Sequence, residues 1–197
     1  NQAEVSLHHA AQFVAMFGNS YLPKAGDDSQ SNLLWEPESQ AIMGRPTTLP
    51  VVAMKLDVVK FQLAIISDKE ESWIPLQNRS KTDILESVKA KLQETGLDAK
   101  QYQFISHFTL PDGEMDNSTK FNKPEKEFLN LWSGLRSIAQ RKLEKIGATY
   151  EFASEVRIWP HNFDTGIYIP IEKGPKGNDL KSIGMGLAIA DGTVSAT

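Results

Sequence analysis

The sequence predicts an α+β fold, a largely antiparallel sheet with about three helices packed against it. Three segments repeat apolar residues at helical spacing, and several others are short, apolar and rich in β-branched residues. Their order is helix, strands, helix, strand, helix, strands, without the regular alternation of a doubly wound sheet. At 197 residues the chain is sized for one substantial core, so a single α+β domain over 1–197 is expected.

The first helix is read from Ser6 to about Gly18, where Leu7, Ala10, Ala11, Val14 and Phe17 make one stripe. His9 falls near Phe13 and Phe17, and His8 falls with Gln12 and Asn19 on the polar side. Val51–Leu56 and Phe61–Ile66 read as strands. Ser72–Leu76 closes a hairpin with the latter, and Pro75 confines it to an edge or a bulge. A second helix follows from Ser80 to Thr95. It opens on a capping box with Asp83 in place of Glu and stops at Gly96.

Tyr102–Phe108 alternates like a strand, and Leu110–Lys123 is a long polar loop, mobile or functional. Pro124 opens the third helix, which carries Phe128, Leu131, Trp132, Leu135, Ile138, Ala139, Leu143 and Ile146 up to Gly147. Val156–Trp159 and Gly166–Ile171 form the final strand pair. Gly184 and Gly186 ease the approach to a last apolar run, Leu187–Ala190.

Net charge is −4, with Lys+Arg 21 and Asp+Glu 25 interspersed, which disfavours nucleic acid as a partner. No apolar run approaches the length of a membrane span. Cysteine is absent, which removes disulfides, thiolate nucleophiles and zinc–thiolate sites and fits a reducing, cytoplasmic setting. The composition sets no oligomeric state.

The familiar catalytic motifs fail one by one. Gly184-Met-Gly186 has Ile189 where a dinucleotide fingerprint needs its third glycine, and Gly174-Pro-Lys-Gly177 continues into Asn178, not Lys-Ser/Thr. Asp112, Glu114 and Asp116 suggest a calcium loop, but Asn117 and Lys123 occupy the places of its Gly and bidentate Glu. No Gly-x-Ser-x-Gly elbow occurs. The four histidines are His8, His9, His107 and His161. His8 and His9 project about 100° apart on a helix, so at most one of them could join His161 and Asp164 around a zinc, manganese or iron(II) ion. A hydrogen-bonded structural role competes with that reading, and no metal or cofactor is assigned.

Chemistry concentrates in Arg157-Ile-Trp-Pro-His-Asn-Phe-Asp164. As a ligand site, Trp159 would wall it, Arg157 would hold an anionic group, and His161 with Asp164 would form an orienting or acid/base pair, with His8 or His9 nearby. As a structural unit, Trp159 would cap the core, Pro160 and Asn162 would shape a turn, and Arg157 would neutralise Asp164 or Glu155. Trp35, Trp73 and Trp132 read as core or rim residues. The expected function is small-molecule binding by the 157–164 cluster. The alternatives are a metal-assisted or acid/base hydrolase using His161 and Asp164, and an interaction module using the loop 110–123.

Trp159-x-x-x-Phe163-Asp164 with an apolar strand behind it resembles the closing motif of a family of uncharacterised bacterial proteins. The His-containing first helix, the strand pair around 51–66, the helix leading to Gly96-Leu97 and the long Phe/Trp helix match the same layout. In that family the tryptophan stands closer to Phe-Asp, whereas Pro160-His-Asn162 intervenes here. The resemblance implies a fold layout and a bacterial origin, and it assigns no chemistry.

Overall fold

The first helix, α1, spans Gln2–Tyr21, and every residue from Ser6 to Gly18 is buried. The stripe of Leu7, Ala10, Val14 and Phe17 is real, yet Phe13, Ala15 and Met16 on other faces are equally enclosed. A helix covered on all sides belongs to the interior, so the expected polar side for His8 and Gln12 is corrected: both are buried. Their polarity survives there because each is hydrogen-bonded. Gly18 is required by close approach, since a Cβ there would lie 2.0 Å from the Gln30 carbonyl oxygen.

The computed structural model describes residues 2–105, 108–111, 113–173, 179–190 and 193–196. Five strands follow α1: β1 (Leu34–Glu36), β2 (Ala41–Met43), β3 (Val52–Asp57), β4 (Gln62–Ser67) and β5 (Glu71–Pro75). They form an antiparallel meander in the order β1-β2-β3-β4-β5. β3 and β4 pair Met54 with Ile65 and Leu56 with Leu63, and all four side chains are buried. Burial of each is worth about 1.5–3 kcal/mol relative to exposure. β5 is an edge strand, as Pro75 requires. Trp35 and Trp132 are buried, whereas Trp73 on β5 is 38% exposed and covered by Lys55 and Lys60, with Nζ 5.1 and 5.3 Å from the ring.

Helix α2 spans Lys81–Glu94 and has the expected capping box. The Asp83 N–H donates to Ser80 Oγ (3.2 Å), and the Ser80 N–H donates to Asp83 Oδ2 (3.0 Å). The Ser80 hydroxyl and backbone N–H together hold the Asp83 carboxyl below its usual range. Gly96 follows at φ +91°, in the left-handed region that ends the helix. Helix α3 spans Lys126–Gly147, two residues later than Pro124, with Glu125 as its N-cap.

Tyr102–Ile105 is not a strand. Its alternation meets no partner strand; the Tyr102 hydroxyl instead donates to the Phe13 carbonyl (2.9 Å), and Gln103 N–H donates to Ser20 Oγ (3.0 Å). His107 lies outside the described residues, as do Asp112 and the glycines at 174 and 177. The final pair grows into a second antiparallel sheet, β6 (Arg157–Ile158), β7 (Thr165–Lys173), β8 (Asp179–Ala190) and β9 (Thr193–Ala196). Leu33 and Ile158 exchange both backbone hydrogen bonds (2.9 and 2.8 Å) and so join the two sheets beside β1 and β6. Among the described residues the α+β class holds, with three α-helices and two antiparallel sheets in place of one. None of these helices is long and apolar enough to cross a membrane.

Candidate functional site

Residues 159–164 form the turn between β6 and β7, closed by Trp159 N–H to Asp164 O and Phe163 N–H to Trp159 O, both 2.9 Å. Phe163 sits at φ +61°, a costly conformation for a bulky residue. Burial of its ring between His8 (4.7 Å) and Trp132 (5.4 Å) offsets that strain. Trp159 can lie on the sheet because Gly166 has no side chain: a Cβ would stand 3.0 Å from Trp159 Cζ3 and 2.7 Å from the Met185 carbonyl.

The turn brings together part of the expected site. Trp159, His161 and Asp164 line one open groove with Thr165, Tyr168 and Gly184–Gly186. Within it Trp159 meets the Tyr168 ring edge-on at 6.0 Å. Asp164 is held locally, accepting from Asn162 Nδ2 (2.5 Å) and donating its N–H to Asn162 Oδ1 (3.1 Å). His161 packs on Phe108 at 5.7 Å, and among the described residues no hydrogen bond joins it to Asp164.

Arg157 lies elsewhere. It pairs with Asp27 (3.3 Å) and approaches Glu155 (4.0 Å), which also binds Arg45. The Ser29 hydroxyl and N–H, followed by Arg157, hold the Asp27 carboxyl below its usual range. The anion-holding role is therefore filled by the protein's own carboxylates.

His8 and His9 part company as well. His8 Nε2 donates to the Pro160 carbonyl (2.8 Å), and Gln12 Nε2 donates to the same oxygen (2.7 Å). His9 Nε2 donates to the Gly113 carbonyl (3.1 Å). Each imidazole thus carries its proton on Nε2, which removes that nitrogen as a metal ligand. Among the described residues no three His, Asp or Glu side chains are grouped to hold a metal ion.

Two features were not singled out from the sequence. The first is Arg136, 1% exposed in α3. Its guanidinium carbon lies 4.7 Å from the Trp132 ring and 5.4 Å from the Phe163 ring, and Nη1 donates to Thr165 Oγ1. Among the described residues no carboxylate reaches ion-pair distance, and Nε has no partner. Burial pushes the guanidinium down to about 9, against the opposing pull of Asp164 and Glu4. Its place on the stripe Trp132, Arg136, Ala139, Leu143 was the available signal.

The second is a partly open cavity of about 220 Å³ between α1 and residues of the segment 104–121. Phe13, Met16, Phe104, Phe108, Met115 and Phe121 supply half of its lining residues, with His9, Gln12, Lys81 and Glu114 as polar members. Phe13 fixes the wall by packing on Phe104 (4.7 Å) and Phe121 (6.0 Å). Gln12 spends its amide N–H groups on His8 O and Pro160 O, and its Oε1 accepts no hydrogen bond. The loop expected at 110–123 covers this cavity with Leu110, Glu114, Met115 and Phe121. It is tied down by Phe121 N–H to Arg79 O (2.9 Å), Asn78 N–H to Phe121 O (2.8 Å) and Ser6 Oγ to Asn122 O (2.7 Å).

No protein-family model, curated protein or solved structure matches this chain.

Proposed function

We propose that the protein binds a small, mostly apolar molecule, and that the site is the cavity between α1 and residues 104–121, not the groove at Trp159. The concave, aromatic-lined volume carries this reading. Ligand sites are concave and mainly apolar with a few polar groups, which describes this lining. At about 220 Å³ the cavity exceeds the roughly 150 Å³ that accommodates benzene and falls below the ~300 Å³ where drug-sized sites begin. A single ring with a short substituent, or a medium-length chain, suits that space. A cytoplasmic setting rests on the cysteine-free composition, and a bacterial source rests on the Trp159, Phe163-Asp164 resemblance.

The five methionines provide the test, because Met16 and Met115 line the cavity whereas Met43, Met54 and Met185 do not. In protein labelled with ¹³C at the methionine methyls, n-octanol and indole should move the Met16 and Met115 resonances and leave the other three in place. Leu110→Trp, which fills the space, should abolish the response. Five unmoved signals, or five that drift together, would remove the reading.

A further inference from the structure

The charge pattern at the cavity narrows the class of ligand, an inference that rests on the cavity being the binding site. Two side chains of full charge line it, Lys81 and Glu114. Glu114 is exposed, whereas Lys81 is half-buried with Nζ 4.5 Å from the centre of the Phe104 ring. A charge over an aromatic wall of low polarity acts on a neighbouring ligand more strongly than one surrounded by water.

Lys81 also stands where helix stability gives no reason for a cation. It is the first residue of α2, at the positive end of the helix dipole, where an acidic residue is favoured. Among the described residues no carboxylate lies within ion-pair distance of its ammonium group. Asp116, whose carboxyl Lys81 influences weakly, is already committed to Ser118, accepting from its N–H (2.7 Å) and its hydroxyl (2.5 Å). The ammonium group is held over a cavity-wall ring, and among the described residues no acceptor takes its N–H groups. His9 and Gln12 donate to backbone carbonyls and do not compete for it.

We infer that the cavity takes an amphiphilic monocarboxylate, its apolar body among Phe13, Met16, Phe108 and Phe121 and its carboxylate on Lys81 Nζ. Recognition needs no covalent step; one ion pair at the mouth orients a body that the apolar wall desolvates.

Octanoate, n-octanol and n-octylamine share a chain and differ in head group, so they separate charge from shape. Each is titrated against the full chain, with the Met16 and Met115 methyl signals as the readout. Octanoate should bind about tenfold more tightly than octanol, the scale of one partly desolvated ion pair, with octylamine weakest. Lys81→Met should bring octanoate to the octanol level and leave octanol unchanged, while Lys81→Arg restores the preference. Unmoved Met43, Met54 and Met185 signals confirm that each variant is folded.

Equal binding of octanoate and octanol, tighter binding of octylamine, or octanoate affinity indifferent to Lys81→Met would overturn the anion class and leave the cavity standing. Silence from all three probes at Met16 and Met115 would instead overturn the cavity itself.

Discussion

Replacement of Arg136 by methionine should leave the protein's stability within about 2 kcal/mol of the parent, although a wholly buried cation is deleted. A guanidinium pushed from 12.5 to about 9 by burial carries a charging penalty of about 5 kcal/mol, at ~1.36 kcal/mol per tenfold change in proton affinity. Against this stand two desolvated ring faces at 4.7 and 5.4 Å, together worth about 2–4 kcal/mol, and the charge-assisted bond to Thr165, worth ~1.5–3 kcal/mol. The two sides nearly cancel. Methionine keeps most of the volume between Trp132 and Phe163, whereas Arg136→Ala opens a hole and should cost about 2–5 kcal/mol. Urea unfolding followed by circular dichroism measures both variants, with an unchanged m-value as the check that the same transition is compared. If Arg136→Met falls as far as Arg136→Ala, the charge must have a compensating anion, and the account of an unpaired guanidinium held by rings is wrong. Asp164→Asn is the control: without an ion pair to Arg136 it should cost under about 1 kcal/mol.

Gly18→Ala should lower stability by at least about 2 kcal/mol in the same assay, because the added Cβ meets the Gln30 carbonyl and one of two backbones must move. Above pH 10 the protein should lose stability. Burial, then Asp98, raises the Tyr21 hydroxyl to about 12, and burial raises Tyr102 well above 10. Between pH 10 and 12 the unfolded chain therefore loses phenolic protons that the folded chain keeps, so unfolding is favoured as pH rises. Tyr21→Phe should flatten that slope, read from thermal midpoints at pH 9, 10 and 11, and an unchanged slope would contradict the assignment.

Local signals were the most legible part of the sequence. Ser80-x-x-Asp83 and Gly96 mark α2 because caps are short-range chemistry, and Pro75 marks an edge because a missing N–H cannot enter a central ladder. Periodicity found the stripe of α1 but not the cover over its other faces, since a repeat tells which face is most apolar and not what lies opposite. The alternation at Tyr102–Ile105 misled for the same reason: without a neighbouring edge, side-chain pattern alone does not make a strand. The Arg157–Asp164 cluster was dense in sequence, yet a tight turn sends Arg157 to Asp27 and keeps Trp159 and His161 in the groove. The cavity was least visible, because its wall comes from α1, the entry to α2 and two stretches between α2 and α3. Phe13, Met16 and Phe121 look like ordinary core, and a void is whatever their packing leaves over.

The contacts that enclose α1 also order events in time. Ser6 waits for Asn122, 116 positions away, and His8 waits for Pro160, 152 positions away. At about 5–20 residues per second, a ribosome needs roughly 8–30 s to supply that last partner. Throughout that interval β2, β3 and Tyr102 can already cover part of α1, while the face that carries His8 lacks its partner. That face of α1 is the last to close, and a pause in translation before residue 160 leaves it open.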